Sequence, residues 1–134
     1  MPLFGGKHEA ENEKLRNELS RIEALPLKDL ATEVMVKGFG PNGPAADSPG
    51  TAQHIAGAFN PAEGSFGIDD QALRDMYVVV VEGLQVLEHA GLVRYFVGGS
   101  GSVYDGFYAS TRLGKAAIEN GTVAQALGAT GAPA

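Results

Sequence analysis

The stretch DDQALRDMYVVVVEGLQVLEHAGLV, residues 69–93, decides the fold. Within it Leu73, Met76, Tyr77, Val80, Leu84 and Leu87 recur at helical spacing, and Ala72, Val79, Gly83, Val86 and Ala90 form a second stripe beside the first. A helix apolar over so wide an arc must be covered by several neighbours, so it stands at the centre of the molecule. Asp69 or Asp70 supplies its N-cap, and Gly91 suits the left-handed position that ends it. The run Val78–Val81 has strand propensity, but the periodicity on both sides favours the helix.

On the N-terminal side, Thr51 caps a short helix to Phe59, with Ala52, Ile55, Ala56 and Phe59 apolar, and Asn60-Pro61 breaks it. Gly38 to Gly50 holds four glycines and three prolines, a composition that makes a loop or hinge. Leu27 to Lys37 is a helix with Leu27, Leu30, Ala31, Val34 and Met35 on one face. Pro26 separates it from a first helix over Lys7–Ala24, in which Leu15, Leu19 and Ile22 form a narrow stripe and Lys14 pairs with Glu18. That stripe either lies on the chain's own domain or forms a dimerisation seam.

On the C-terminal side, Leu92–Val97 and Val103–Ser110 flank Gly98–Ser102 as a β-hairpin with a glycine-rich tip. Thr111 caps a last helix to about Asn120, closed by Gly121. Val123–Ala134 reads as a small-residue tail, frayed beyond Leu127. The expected fold is mainly α with a small β-hairpin. It divides into an N-terminal helix over 1–26 that offers a dimerisation arm, a domain over 27–122, and a flexible tail over 123–134.

A chain of 134 residues fits one domain. The absence of cysteine excludes disulfides, zinc–thiolate sites and cysteine nucleophiles. The start of the chain has no apolar stretch of signal length, and the longest apolar run, Met76–Val81, is far short of the ~18 residues of a membrane span. The expectation is a cytoplasmic protein without membrane contact, in which the sequon Asn120-Gly121-Thr122 is a chance match. No nucleophile elbow, dinucleotide-binding or phosphate-loop glycine pattern occurs. His8, His54 and His89 have no metal-ligand spacing, and helix capping accounts for Asp69-Asp70 with fewer assumptions than a catalytic carboxylate pair. No catalytic residue, metal or cofactor is therefore expected.

The order helix, helix, long helix, hairpin, helix is that of a winged helix-turn-helix, and three segments carry a resemblance. Thr51-Ala-Gln-His-Ile-Ala-Gly-Ala-Phe59 resembles the first helix of that motif. Glu82-Gly-Leu-Gln-Val-Leu-Glu-His-Ala-Gly-Leu-Val93 resembles the end of a recognition helix running into the wing. Tyr108-Ala-Ser-Thr-Arg-Leu-Gly-Lys-Ala-Ala-Ile-Glu-Asn-Gly121 is similar to the return from the wing in bacterial regulators of the MarR and PadR kind. The resemblance covers roughly Leu27 to Gly121 and implies a homodimeric DNA-binding transcriptional regulator. Gln71, Arg74 and Gln85 would then face bases, and Arg94, Arg112 and Lys115 would face phosphates. Leu15, Leu19 and Ile22, or the broad apolar surface of the long helix, would dimerise it.

Charge pulls against that implication. Ten basic against 16 acidic residues leave a net charge of −6, and Phe39–Gly91 holds Arg74 alone against Asp47, Glu63, Asp69, Asp70, Asp75, Glu82 and Glu88. The outward face of the long helix is expected to show Asp70, Gln71, Arg74, Asp75, Val78, Glu82, Gln85 and His89, and carboxylates near phosphate are repelled. The segment Asn60–Ile68 is also longer than the usual tight turn between the two helices of the motif. DNA binding is thus expected to be weak or partner-assisted. The alternative is a winged-helix adaptor that binds a protein and no DNA. A third reading places Phe59, Phe66, Tyr77, Phe96, Tyr104, Phe107 and Tyr108 either around a small-molecule pocket or in ordinary core packing. Clustering of Arg74, Arg94, Arg112 and Lys115 on one face favours DNA; scattering favours the adaptor.

Overall fold

The structure, a computed structural model, describes residues 3–62, 68–97 and 106–129. It is mainly helical with one small antiparallel hairpin: α1 (Leu3–Glu23), α2 (Leu27–Phe39), α3 (Ala52–Gly57), α4 (Asp70–His89), β1 (Val93–Val97), β2 (Gly106–Ser110), α5 (Arg112–Asn120) and α6 (Val123–Ala129). The expected hairpin tip Gly98–Ser102, the first residues of its second strand (Val103–Asp105), Phe66 and residues 130–134 lie outside the described residues.

Helix α4 is the hub. Its start is set by the Asp69 side chain, which accepts a hydrogen bond from the Ala72 N–H at 3.1 Å. The other Asp69 oxygen accepts from Arg16 at 3.0 Å, and the Asp69 N–H donates to Asn12 at 2.8 Å, so α1 grips the same turn. Its end is a left-handed Gly91, φ +79°, with the Leu92 N–H reaching back to the Leu87 carbonyl at 2.9 Å. Between these ends Ala72, Met76, Val80, Gly83, Leu84 and Leu87 are buried, and α1, α2, α3 and β1 all pack on the helix. Gly83 lets α2 approach closely, since a Cβ there would lie 2.8 Å from Val34 Cγ2. The expected apolar stripes merge into one buried face, and Tyr77 stands outside it, 43% exposed.

Leu15, Leu19 and Ile22 are buried in the core of this same chain, where α1 lies along α4. In this structure their own chain covers them, so they present no exposed apolar stripe to a second copy. The described part of 1–26 belongs to the same packed unit as 27–122. Residues 123–129 are likewise not a frayed tail: Val123 and Leu127, one helical turn apart, bury themselves as α6 packs on α2 and α5.

Two expected details shift for local reasons. Lys14 pairs with Glu11 at 3.0 Å, because Glu18 is taken by Arg21 at 2.8 Å, with Lys37 at 3.6 Å. Arg21 also grips Glu33 with both fork nitrogens, at 2.7 and 2.8 Å, tying α1 to α2. The Gly38–Gly50 segment is partly regular as well. α2 runs on to a buried Phe39, and Gly50 exchanges both backbone hydrogen bonds with Tyr108, at 3.0 and 2.8 Å. The loop is thus stitched to the hairpin.

The Arg21 guanidinium holds the Glu18 and Glu33 carboxyls below their ordinary range. A lowered carboxyl stabilises the fold above its unfolded value, near pH 4.3, and loses that contribution as pH falls through its native value. The Arg21 side chain is 43% exposed, so the network contributes about 1 kcal/mol. Urea unfolding of Arg21→Ala should therefore trail the parent at pH 7 and converge with it below pH 4.

Candidate functional site

The hairpin has two faces because successive strand residues alternate. Tyr95 pairs with Tyr108 on one face; Phe96 pairs with Phe107, and Arg94 with Ala109, on the other. The tyrosine face looks onto α4. Between it, α3 and the outer side of α4 runs a groove of about 1090 Å³. Val78 and Val81 of α4, Ala56 of α3, and Tyr77, Tyr95 and Tyr108 supply much of its wall. Val78 is 62% exposed and Tyr95 is 40% exposed, so apolar and aromatic surface stands open to water on the side that a groove-reading helix would present.

The hairpin is held in this position from its far end. The Thr111 hydroxyl donates to the Gly91 carbonyl at 2.7 Å and accepts from the Gly114 N–H at 3.0 Å, capping α5 and fastening it to the end of α4. Gly121, in the left-handed region at φ +66°, closes α5.

The residues expected to touch DNA do not all line this groove. Arg74 and Gln85 line the groove, and Gln71 is exposed nearby on α4. Arg74 donates to Gln71 at 3.1 Å, and Gln71 donates to Asp75 at 2.9 Å, so the candidate base readers bond to one another. Arg94 stands on the opposite face of the hairpin, and Arg112 and Lys115 are exposed on α5, away from the groove lining. On the outward side of α4, Asp70, Glu82 and Glu88 are exposed, and among the described residues none of them makes an ion pair. Among the described residues Arg74 is the single cation lining the groove.

Of the aromatic residues considered for a pocket, Tyr77 and Tyr108 line the groove, Phe59 is buried in the core, and Phe96 and Phe107 stack on the far side of the hairpin at 6.1 Å. Phe66 and Tyr104 lie outside the described residues. The groove residue that the sequence does not single out is Tyr95; its alternation with Arg94 and Phe96 along β1 was the available signal. Among the described residues no three His, Asp or Glu side chains gather to hold a metal ion. Among them, too, no helix is long and apolar enough to cross a membrane. Comparison of the chain with protein-family models, with curated proteins and with solved structures finds no match.

Proposed function

We propose that the chain is a winged-helix module whose α4–hairpin face docks a protein partner rather than reading DNA. The order α2, Gly50 bridge, α3, α4, hairpin, α5 supports the winged-helix reading. The observation that carries the choice of partner is the groove itself: apolar and aromatic walls and, among the described residues, one cation already bonded to Gln71 and carboxylates without an ion pair beside it. The apolar walls gain by leaving water against another protein, whereas a phosphate backbone meets repulsion from the carboxylates. A symmetric pairing of two copies through this face would bring like carboxylates of α4 together, which favours a different chain as the occupant.

The chain, immobilised and exposed to lysate of its source, should retain one stoichiometric partner after nuclease treatment. Val78→Asp places a charge in the exposed apolar wall and should weaken that capture by ~30-fold or more, the scale of an interface hot spot of roughly 2 kcal/mol, without lowering the melting temperature. The DNA-binding regulator is the second reading, favoured by the exposed Arg94, Arg112 and Lys115, none of them in an ion pair among the described residues. Anisotropy titration with genomic fragments at low salt separates the two. A salt-steep shift that Arg94→Ala and Arg112→Ala abolish, with no protein captured, would overturn the docking proposal.

A further inference from the structure

On its hairpin side the groove carries a pair of tyrosine rings, and a carboxylate of α4 lines the same groove. Tyr95 and Tyr108 have ring centroids 5.0 Å apart with planes tilted by 57°. Tyr77 and Glu88, both from α4, line the same groove. Gly106 has a structural part here: a Cβ on it would fall on the Tyr95 ring, so the missing side chain lets that ring lie across β2. The Tyr108 phenol is held above its ordinary range, first by burial and then by the charge of Glu88, with Tyr95 and Tyr77 adding to it. Of these causes only the negative charge of Glu88 attracts a cation, and the faces of tyrosine rings do so too.

Nothing of the chain's own meets that demand among the described residues. Glu88 is exposed and without an ion pair. Arg74, the cation of the groove, lies fourteen residues earlier on α4, about 21 Å along the helix axis at 1.5 Å per residue, and is bonded to Gln71.

The geometry points to a cation-accepting subsite formed by Tyr95, Tyr108 and Glu88, which takes a lysine or arginine side chain carried on an apolar segment of the partner protein. The aliphatic wall of Val78 and Val81 receives the flanking apolar side chains, and the carboxylate and rings receive the charge. This assignment rests on reading the face as a protein-docking surface, and it names the chemistry of what docks there.

The chain has no tryptophan and four tyrosines, two of them in the subsite and a third along the same groove, so its intrinsic emission reports on binding there. The test is a titration followed by tyrosine emission and by amide chemical shifts. The probes are the blocked pentapeptide Ala-Leu-Lys-Leu-Ala, the same peptide with arginine at the centre, and the neutral form with norleucine there. The cationic peptides should shift the amides of residues 88, 95 and 108 and bind about 3- to 30-fold more tightly than the neutral one, the range for a cation over partly to fully desolvated rings. Glu88→Gln and Tyr95→Ala should each remove most of that preference while the melting temperature holds.

Equal affinity for the three peptides, absence of binding at millimolar concentration, or shifts centred elsewhere would each overturn the subsite. Free choline binding as tightly as the lysine peptide would overturn its assignment to a protein segment. The outcome is separable from that of the docking proposal. Capture of a partner that Val78→Asp abolishes, with no preference among the peptides, leaves docking standing and removes the subsite. Peptide discrimination without any partner captured through this face does the reverse.

Discussion

The double variant Leu15→Ala, Ile22→Ala should be largely unfolded in dilute buffer, and each single variant should lose about 2–5 kcal/mol. Both side chains are fully buried, so each truncation removes apolar surface from water and leaves a cavity in the interface of α1 with α4. The two positions are seven residues apart, about 10 Å along the helix, which makes their effects close to additive. A combined loss of roughly 4–10 kcal/mol is comparable with the whole stability of a small domain, about 5–15 kcal/mol. Urea unfolding followed by circular dichroism gives the stability of the single variants, and analytical ultracentrifugation gives their mass. A seam between two copies predicts something else: a dimeric parent, and a variant that falls apart into folded monomers with its helix content intact. That outcome would remove α1 from the core of its own chain.

Gly114→Val should be strongly destabilising. A Cβ there falls on the carbonyl oxygen of Leu92 and 2.8 Å from the Met35 Cε, and it does so in the first turn of α5. The methionine end can swing away, but the carbonyl cannot, because it belongs to a fully buried residue and accepts the Thr111 N–H at 3.0 Å. Relief requires α5 to lift off the start of β1, which also strains the Thr111 link to Gly91. The expected cost is ~3 kcal/mol or more, at or beyond the upper end of the range for overpacking, which lowers the melting temperature by about 10 °C. Gly57→Ala is the control. It sits in the last turn of α3 with nothing within 4 Å of the added atom, so helix propensity leaves stability unchanged or slightly raised. Calorimetry that finds the two variants equally stable would remove the close contact at Gly114.

Helix starts and stops were legible residue by residue. Thr51, Asp69 and Thr111 each cap a helix through their own side chains, and Gly91 and Gly121 take left-handed backbone where a helix ends. These features rest on atoms three or four residues apart, so the chain order already contains both partners. The periodicity of α4 likewise placed its buried face, since a helix repeats every 3.6 residues wherever it is put. The same locality explains the failures. The order of charges in α1 suggested Lys14 with Glu18, but Glu33, from a different helix, helps draw Arg21 across and leaves Lys14 with Glu11. The small residues after Thr122 suggested a loose tail because the α2 surface that Val123 and Leu127 cover is nearly a hundred residues away in the chain.

The candidate site divides in the same way. That α4 would carry an outward row of Asp70, Arg74, Val78, Glu82 and Gln85 followed from helical period alone, as did the acidic balance of that region. Whether the later cations would join Arg74 at the groove depended on which face of the hairpin Arg94 occupies and where α5 lies. Both are set by pairings such as Tyr95 with Tyr108 and Gly50 with Tyr108, which close long loops. Caps, turns and amphipathic faces are properties of neighbouring residues, so they were written in the linear chain. The groove, its pair of tyrosine rings and the separation of the later cations from it arise where residues distant in sequence meet, and that meeting is decided by how the buried faces pack together.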